Sequence, residues 1–241
     1  MNYKFIHIEK KENCGIITYR SDKKQNLLTI NGMQEILAAM EEVRQDNFCR
    51  ALIFTGWEDY FCMGGFLGDY SKQGAEEIIS FADILTKLHR HMSRYPKLTI
   101  AAVNGQTGGG GLSLLETFDL ALAVPWAEFS LPEICNGLAP MISLMGVRNS
   151  CSRKLCMEMA GLGRKLSAED ALKEGLINRI VQKNVVEEAL EYAGTIINGN
   201  MDAFGVCKQY YAAASGLSYE QQLEIGKQYL VTMLKDSRNK G

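Results

Sequence analysis

The chain has 241 residues, 46% hydrophobic, 22% charged and 9% aromatic, enough apolar material for a sizeable core without disulfide or metal staples. With 26 Lys+Arg against 28 Asp+Glu the net charge is -2, which argues against a nucleic-acid-binding domain and its basic excess. Seven cysteines and three histidines without a C-x-x-C pair give neither a zinc site nor a disulfide framework. The pattern reads as reduced, mostly buried thiols in a cytoplasmic protein. The N-terminus lacks a signal-peptide core and no apolar run reaches membrane-span length.

Phe5 to Glu9 alternates as a strand, Gly15 to Tyr19 is a second β-rich run, and Arg20 to Asn26 is a polar loop. Thr29 to Arg44 places Ile30, Met33, Ile36, Leu37, Met40 and Val43 on one helical face. Arg50 to Gly56 reads as a buried strand. Glu76 to His91 follows as a helix, with Ile78, Ile79, Ala82, Leu85 and Leu88 expected inward. Leu98 to Val103 is a strand, Asn104 opens a glycine-dense loop, Leu112 to Phe118 is a helix, and Asp119 to Val124 is another strand. Beyond Arg148 the chain is largely helical, with a last strand near Ile177 to Val181. Strands alternating with helices predict an α/β domain with parallel pairing.

Two glycine clusters follow apolar strands: Gly64-Gly65 and Gly108 to Gly111. Such loops aim free backbone N–H groups at one point, and two of them can supply both donors of an oxyanion hole. The alternative is tight turns with close helix–strand packing. The sequence fits neither a P-loop nor a dinucleotide fingerprint. Leu115 stands where a nucleophile elbow around Ser113 would need glycine, so Ser113 reads as a helix-start or pocket residue. Glu133, in an apolar segment after Pro132, is a candidate general base, with ion pairing or helix capping as the alternative. Glu116 is a second carboxylate, with a packing-edge charge as the alternative; Asp69 and Tyr70 could reach the same pocket, but a surface turn is the favoured reading for both. His89 and His91, two apart on a helix, suit its C-terminal end, and His7 reads as structural.

Taken together, Asn26-Leu27-Leu28, Phe61-Cys62-Met63-Gly64-Gly65, Thr99 to Gly105 with Gly109-Gly110-Gly111, Asp119, Pro132-Glu133 with Gly137, and Leu166 to Val181 resemble the crotonase, or enoyl-CoA hydratase/isomerase, superfamily over nearly the whole chain. The resemblance implies a spiral of repeated ββα units with a C-terminal helical trimerisation region. The core is expected over 1–190 and the helical region over 191–241, as parts of one domain. It implies an acyl thioester of coenzyme A or of acyl carrier protein as partner and a homotrimer or dimer of trimers, while the charge balance and the apolar run lengths argue against nucleic acid and membrane. Coenzyme A or phosphopantetheine enters as part of the substrate, with no metal or redox cofactor. Glu133 is the implied acid/base, and Gly65 and Gly110 the oxyanion donors. Lys23, Asn26, Gly64, Phe66, Tyr70, Gly109, Ser113, Pro132, Gly137 and Leu138 are the implied substrate contacts. Lys23, Lys24 and Lys72 could serve a phosphate.

Departures from the family pattern choose among reactions. A standard hydratase carries two glutamates, and here those positions hold Ser113 and Glu133. One glutamate at the second position is similar to the mitochondrial-type Δ3,Δ2-enoyl-CoA isomerases, in which one base shuttles a proton between C2 and C4. Double-bond isomerisation is therefore the leading expectation, with hydration through Glu133 next. Phe66 in place of the family's aspartate makes that wall more apolar, while the short C-terminal stretch and Trp57-Glu58-Asp59-Tyr60-Phe61 resemble polyketide-pathway dehydratases and decarboxylases. A catalytically silent thioester-binding homologue is the alternative from a different class.

Overall fold

The computed structural model describes residues 2–238. Strands β1 (Ile6–Lys11) and β2 (Cys14–Tyr19) form an antiparallel hairpin that places Ile8 opposite Ile17. Its two-residue turn, Glu12-Asn13, has positive φ at both positions, the geometry that matches the twist of the paired strands. Helix α1 (Ile30–Gln45) starts where the Thr29 side chain accepts the Gly32 N–H, and it buries Met33, Ile36, Met40 and Val43 as the spacing predicts.

The next segments build two sheets in alternation. β3 (Ala51–Thr55), β5 (Leu98–Val103) and β7 (Leu120–Ala123) add to the first sheet; β4 (Tyr60–Cys62), β6 (Gln106–Gly108) and β8 (Glu128–Ser130) form the second. Helices α2 (Ala75–Ser93) and α3 (Gly110–Leu115) each follow a pair of such strands, so the ββα unit repeats. Then come α4 (Met141–Val147), α5 (Arg153–Leu162), β9 (Leu166–Ser167), α6 (Ala168–Glu174), β10 (Arg179–Ile180) and α7 (Val185–Ile197). The first sheet runs β1-β2-β3-β5-β7-β10, parallel from β2 onward; the second runs β4-β6-β8-β9, parallel except for β8–β9.

Because β3 and β5 are covered on both faces, every residue of each is buried, and their sequences are near-continuous apolar runs, broken only by Thr55 and Thr99, rather than alternating ones. Rings of Phe54, Phe61 and Phe118 meet at 5.6 to 6.4 Å between centroids. Two polar side chains tie the strands together. Asp119 Oδ2 accepts from the backbone N and Oγ1 of Thr99, at 2.8 and 2.9 Å. Asn104 accepts the Gly56 N–H at 3.0 Å and donates to the Glu58 carbonyl at 2.7 Å, linking two β–β turns.

Two sequence expectations need correction. The second sheet was not foreseen, because its strands are two or three residues long, too short for a visible period. In α2 Leu85 and Leu88 lie inward as expected, but the first turns of the helix stay exposed on every side, so the expected face is buried only in its second half. Ile78 and Ile79 are 42% and 58% exposed and Ala82 is exposed, whereas Leu85, Leu88, His89 and Met92 are buried.

Residues through Gly194 form one compact unit and those from Thr195 a second. In the second, α8 (Met201–Ala214) and α9 (Tyr219–Arg238) pair as a hairpin. The Tyr210 ring packs on Gly226 and edge-on to Tyr229, centroids 5.9 Å apart, and its hydroxyl donates to the Gln222 carbonyl. All seven cysteines are free thiols, with Cys135 and Cys207 exposed. Among the described residues no helix is long and apolar enough to cross a membrane, and no three His, Cys, Asp or Glu side chains converge as metal ligands.

Candidate active site

The parallel strands β4, β6 and β8 are neighbours, with Cys62 beside Thr107 and Thr107 beside Phe129. Their carboxyl ends therefore deliver three loops to one place: Met63-Gly64-Gly65, Gly109-Gly110 and Pro132-Glu133. Ligand sites in parallel sheets form at such ends, where the chain leaves the strands together.

The first loop is held by flanking backbone bonds. Leu28 N donates to Gly64 O at 2.7 Å and Phe66 N donates to Leu28 O at 2.8 Å, so Gly65 pairs with Leu28 in a parallel bridge whose geometry turns the Gly65 N–H the other way. Asn26 sets up this pairing. It is buried, its amide donates to the Tyr19 and Phe61 carbonyls, and its Oδ1 accepts the Ser21 N–H. The second loop turns through Gly109, at φ 53 and ψ -130, a combination open only to glycine. That turn makes Gly110 the first residue of α3, whose N–H has no partner within its own helix. The two amides converge: a Cβ at Gly64 would lie 3.0 Å from Gly110 N, and one at Gly110 would lie 3.5 Å from Gly65 N. Neither amide has an acceptor among the described residues.

Glu133 closes the third side. Its Oε1 accepts the Ser143 hydroxyl at 2.6 Å, and Oε2 is buried with no partner among the described residues. The carboxylate sits over the second loop, since a Cβ at Gly109 would come within 2.9 Å of Oε1. A cavity of about 700 Å³ opens between these loops, with Leu27, Met63, Phe66, Phe81, Pro132 and Leu138 on its walls. Glu133 is the one ionisable side chain among the described lining residues.

Of the residues singled out in the sequence, the structure brings Gly64, Gly65, Phe66, Gly109, Pro132, Glu133 and Leu138 to this cavity. Gly137 ends the short 3₁₀ turn that carries Glu133, in the left-handed region. Lys23 is not among the described cavity residues; its Nζ lies 5.2 Å from the centre of the Phe66 ring and 3.9 Å from Asp22 Oδ1. Lys72 is paired with Asp69 at 2.8 Å on the surface. The Tyr70 side chain lies outside the described residues. Asn26 is behind the loops. Ser113 is also behind them, 1% exposed, with its Oγ 2.7 Å from His89 Nε2. The sequence suggests a helix-end cation for His89; the structure buries it on the face that Leu85 and Leu88 already mark.

Glu116 is not among the described cavity residues. Its Oε2 accepts the Ser150 hydroxyl at 2.9 Å, Gly146 of α4 packs against it, and burial pushes its carboxyl up from 4.5 to about 7. The folded state therefore keeps a proton that the unfolded chain releases between pH 4.5 and about 7. Stability falls as pH rises through that window, levelling off above it at a cost of about 3 kcal/mol. Glu116→Gln keeps an acceptor for Ser150 and removes the charge. Denaturant melts should show the variant more stable than the parent at pH 8, and the two equal near pH 4.5. A parent curve that stays flat from pH 4.5 to 8 would contradict this.

A family model described as enoyl-CoA hydratase/isomerase matches residues 9–241. The probable enoyl-CoA hydratase echA8 of Mycobacterium tuberculosis is 30% identical over 237 residues, spanning 92% of this chain and 89% of that protein. The mitochondrial enoyl-CoA hydratase of Pongo abelii is 26% identical over 246 residues, spanning 100% of this chain and 84% of that one. Among solved structures, human enoyl Coenzyme A hydratase domain-containing protein 3 superposes with a TM-score of 0.90 at 21% identity, covering 96% of this chain and 92% of its own. The enoyl-CoA hydratase of Mycobacterium smegmatis gives 0.90 at 22%, covering 97% and 92%. These two likenesses establish the fold; the family model and the 30% relative go further. With its alternating ββα units and both glycine loops in order, the chain belongs to the enoyl-CoA hydratase/isomerase family, the crotonase superfamily.

Proposed function

We propose that the protein performs enolate chemistry on acyl thioesters, and specifically shifts the double bond of a 3-enoyl-CoA to the 2-position. The observation that carries this reading is that Glu133 is the one charged side chain among the described cavity residues, with one oxygen unpartnered beside two convergent free amides. The thioester carbonyl accepts from the Gly65 and Gly110 N–H groups. Glu133 Oε2 takes a proton from C2, and the electron pair left there delocalises onto the carbonyl oxygen on one side and, through the C3–C4 double bond, onto C4 on the other. The carboxyl then returns the proton at C4, the C2–C3 double bond forms, and no atom is gained or lost. Fixed donors in a dry site stabilise the oxyanion most, each by about 3 kcal/mol. Hydration is better served by two carboxylates handling the water and its protons, and Ser113, engaged with His89, offers no second one.

The Lys23 ammonium beside Phe66, also 3.9 Å from Asp22 Oδ1, offers a cation for the phosphate of coenzyme A or of phosphopantetheine. The homotrimer belongs to the same proposal: Tyr211, Leu223, Leu230 and Leu234 stay exposed on α8 and α9, apolar surface that association would cover. To test the reaction, 3-enoyl-CoA and 2-enoyl-CoA are offered separately and products are separated by chromatography and weighed. An isomer of unchanged mass from the 3-enoyl substrate is the expected result. A product heavier by one water would replace isomerisation with hydration, and no turnover of either would sink the enzyme reading for coenzyme A thioesters.

A further inference from the structure

Phe81, Leu85 and His89 lie four residues apart on α2 and so form one stripe along the helix. The stripe runs behind the site. A Cβ at Gly65 would meet Phe81 Cζ at 2.4 Å, and one at Gly110 would meet Leu85 Cδ1 at 3.8 Å. One turn further on, His89 Nε2 meets Ser113 Oγ at 2.7 Å. A single helix face thus backs both oxyanion donors and ends in a buried polar clasp to the helix that begins with one of them.

The protons in that clasp follow from its partners. His89 Nδ1 lies 2.7 Å from the Leu85 carbonyl oxygen, which can only accept, so Nδ1 carries a hydrogen. Burial holds the imidazole below its ordinary pKa and hence neutral, which leaves Nε2 a bare acceptor. The Ser113 hydroxyl also lies 3.0 Å from the Gly110 carbonyl, but its one hydrogen satisfies the closer nitrogen. Both groups are nearly sealed from solvent, at 7% and 1% exposure, so an unmade bond here has no water to replace it.

We infer that His89 is a positioning residue for the oxyanion hole: through Ser113 it pins the first turn of α3, and with it the Gly110 N–H, at a fixed distance from Gly65 on the same α2 face. This inference rests on the thioester reading above. A donor displaced by a fraction of an ångström still binds a ground-state carbonyl but loses much of its hold on the developing oxyanion. The cost should therefore fall on kcat and leave KM nearly unchanged.

The test combines kinetics on 3-enoyl-CoA with the ultraviolet red-shift of bound 2,4-hexadienoyl-CoA, which reports polarisation of the carbonyl without turnover. His89→Leu and Ser113→Ala should each lower kcat by about tenfold to a hundredfold, with KM within about twofold, and should shrink the red-shift. The double variant should be no worse than either single one, because both break the same contact. His89→Gln, whose amide reaches the Nε2 position, should restore most of the loss, whereas His89→Asn should not. If His89→Leu fails to fold, Ser113→Ala carries the same comparison. Folded variants with the parent's kcat and red-shift would overturn the inference, as would a loss of kcat with the red-shift intact. No red-shift in the parent protein would remove the thioester reading, and this inference with it.

Discussion

Glu133→Gln is expected to lower kcat for the double-bond shift by about 10²–10⁴-fold while changing KM little. The amide keeps the shape of the carboxylate and still accepts from Ser143, but it cannot take a proton from C2. Oε1 is engaged by the Ser143 hydroxyl and Oε2 is buried without a partner, so the proposed base has one oxygen held and one available. No other ionisable side chain among the described cavity residues can substitute. Ser143→Ala should cost less, because it frees the carboxylate to swing without removing its basicity. Steady-state kinetics on the purified variants decides this; Glu133→Gln with parental kcat would exclude Glu133 as the base.

Gly64→Ala is expected to cost about 10²–10³-fold in kcat. Gly64 sits at φ +106, and an added Cβ would lie 3.0 Å from Gly110 N. The methyl group would intrude on the space between the two donors, and the backbone would have to relax from a conformation that L side chains rarely adopt. Either response separates the Gly65 and Gly110 amides. Gly175→Ala supplies the control: it too has positive φ, at +84, with nothing within 4 Å of the added Cβ. It should lower the melting temperature by strain alone and leave kcat at the parental value. Equal kcat losses in the two variants would mean that general destabilisation, not a blocked oxyanion hole, is being measured.

What the sequence revealed depended on how much chain each feature used. β3 and β5 are five- and six-residue apolar runs and were legible as buried strands. β6, reading Gln-Thr-Gly, has neither the length nor the composition of a strand; the neighbouring ends of β4 and β8 impose it. That short sheet carries every loop of the candidate site, so the convergence of Gly65, Gly110 and Glu133 came from the family resemblance, not from local pattern. Glycine next to glycine after an apolar run did point to backbone donors. In α2 Leu85 and Leu88 were legible as inward, but the exposure of Ile78 and Ile79 was not, because apolar side chains alone do not show where packing begins along a helix. Ser113 was noticed as a substitution, but its partner lies 24 residues away on another helix, a distance over which local periodicity carries no information.

The central claim, that one carboxylate moves one proton from C2 to C4 beneath an oxyanion hole, is tested most directly by isotope transfer. A 3-enoyl-CoA labelled with deuterium at C2 is turned over in ordinary water, and the product is examined by NMR. The account predicts a 2-enoyl product with part of the deuterium at C4, formed by the parent protein and abolished in Glu133→Gln. A product whose C4 holds only solvent hydrogen, formed as fast by Glu133→Gln as by the parent, would contradict it.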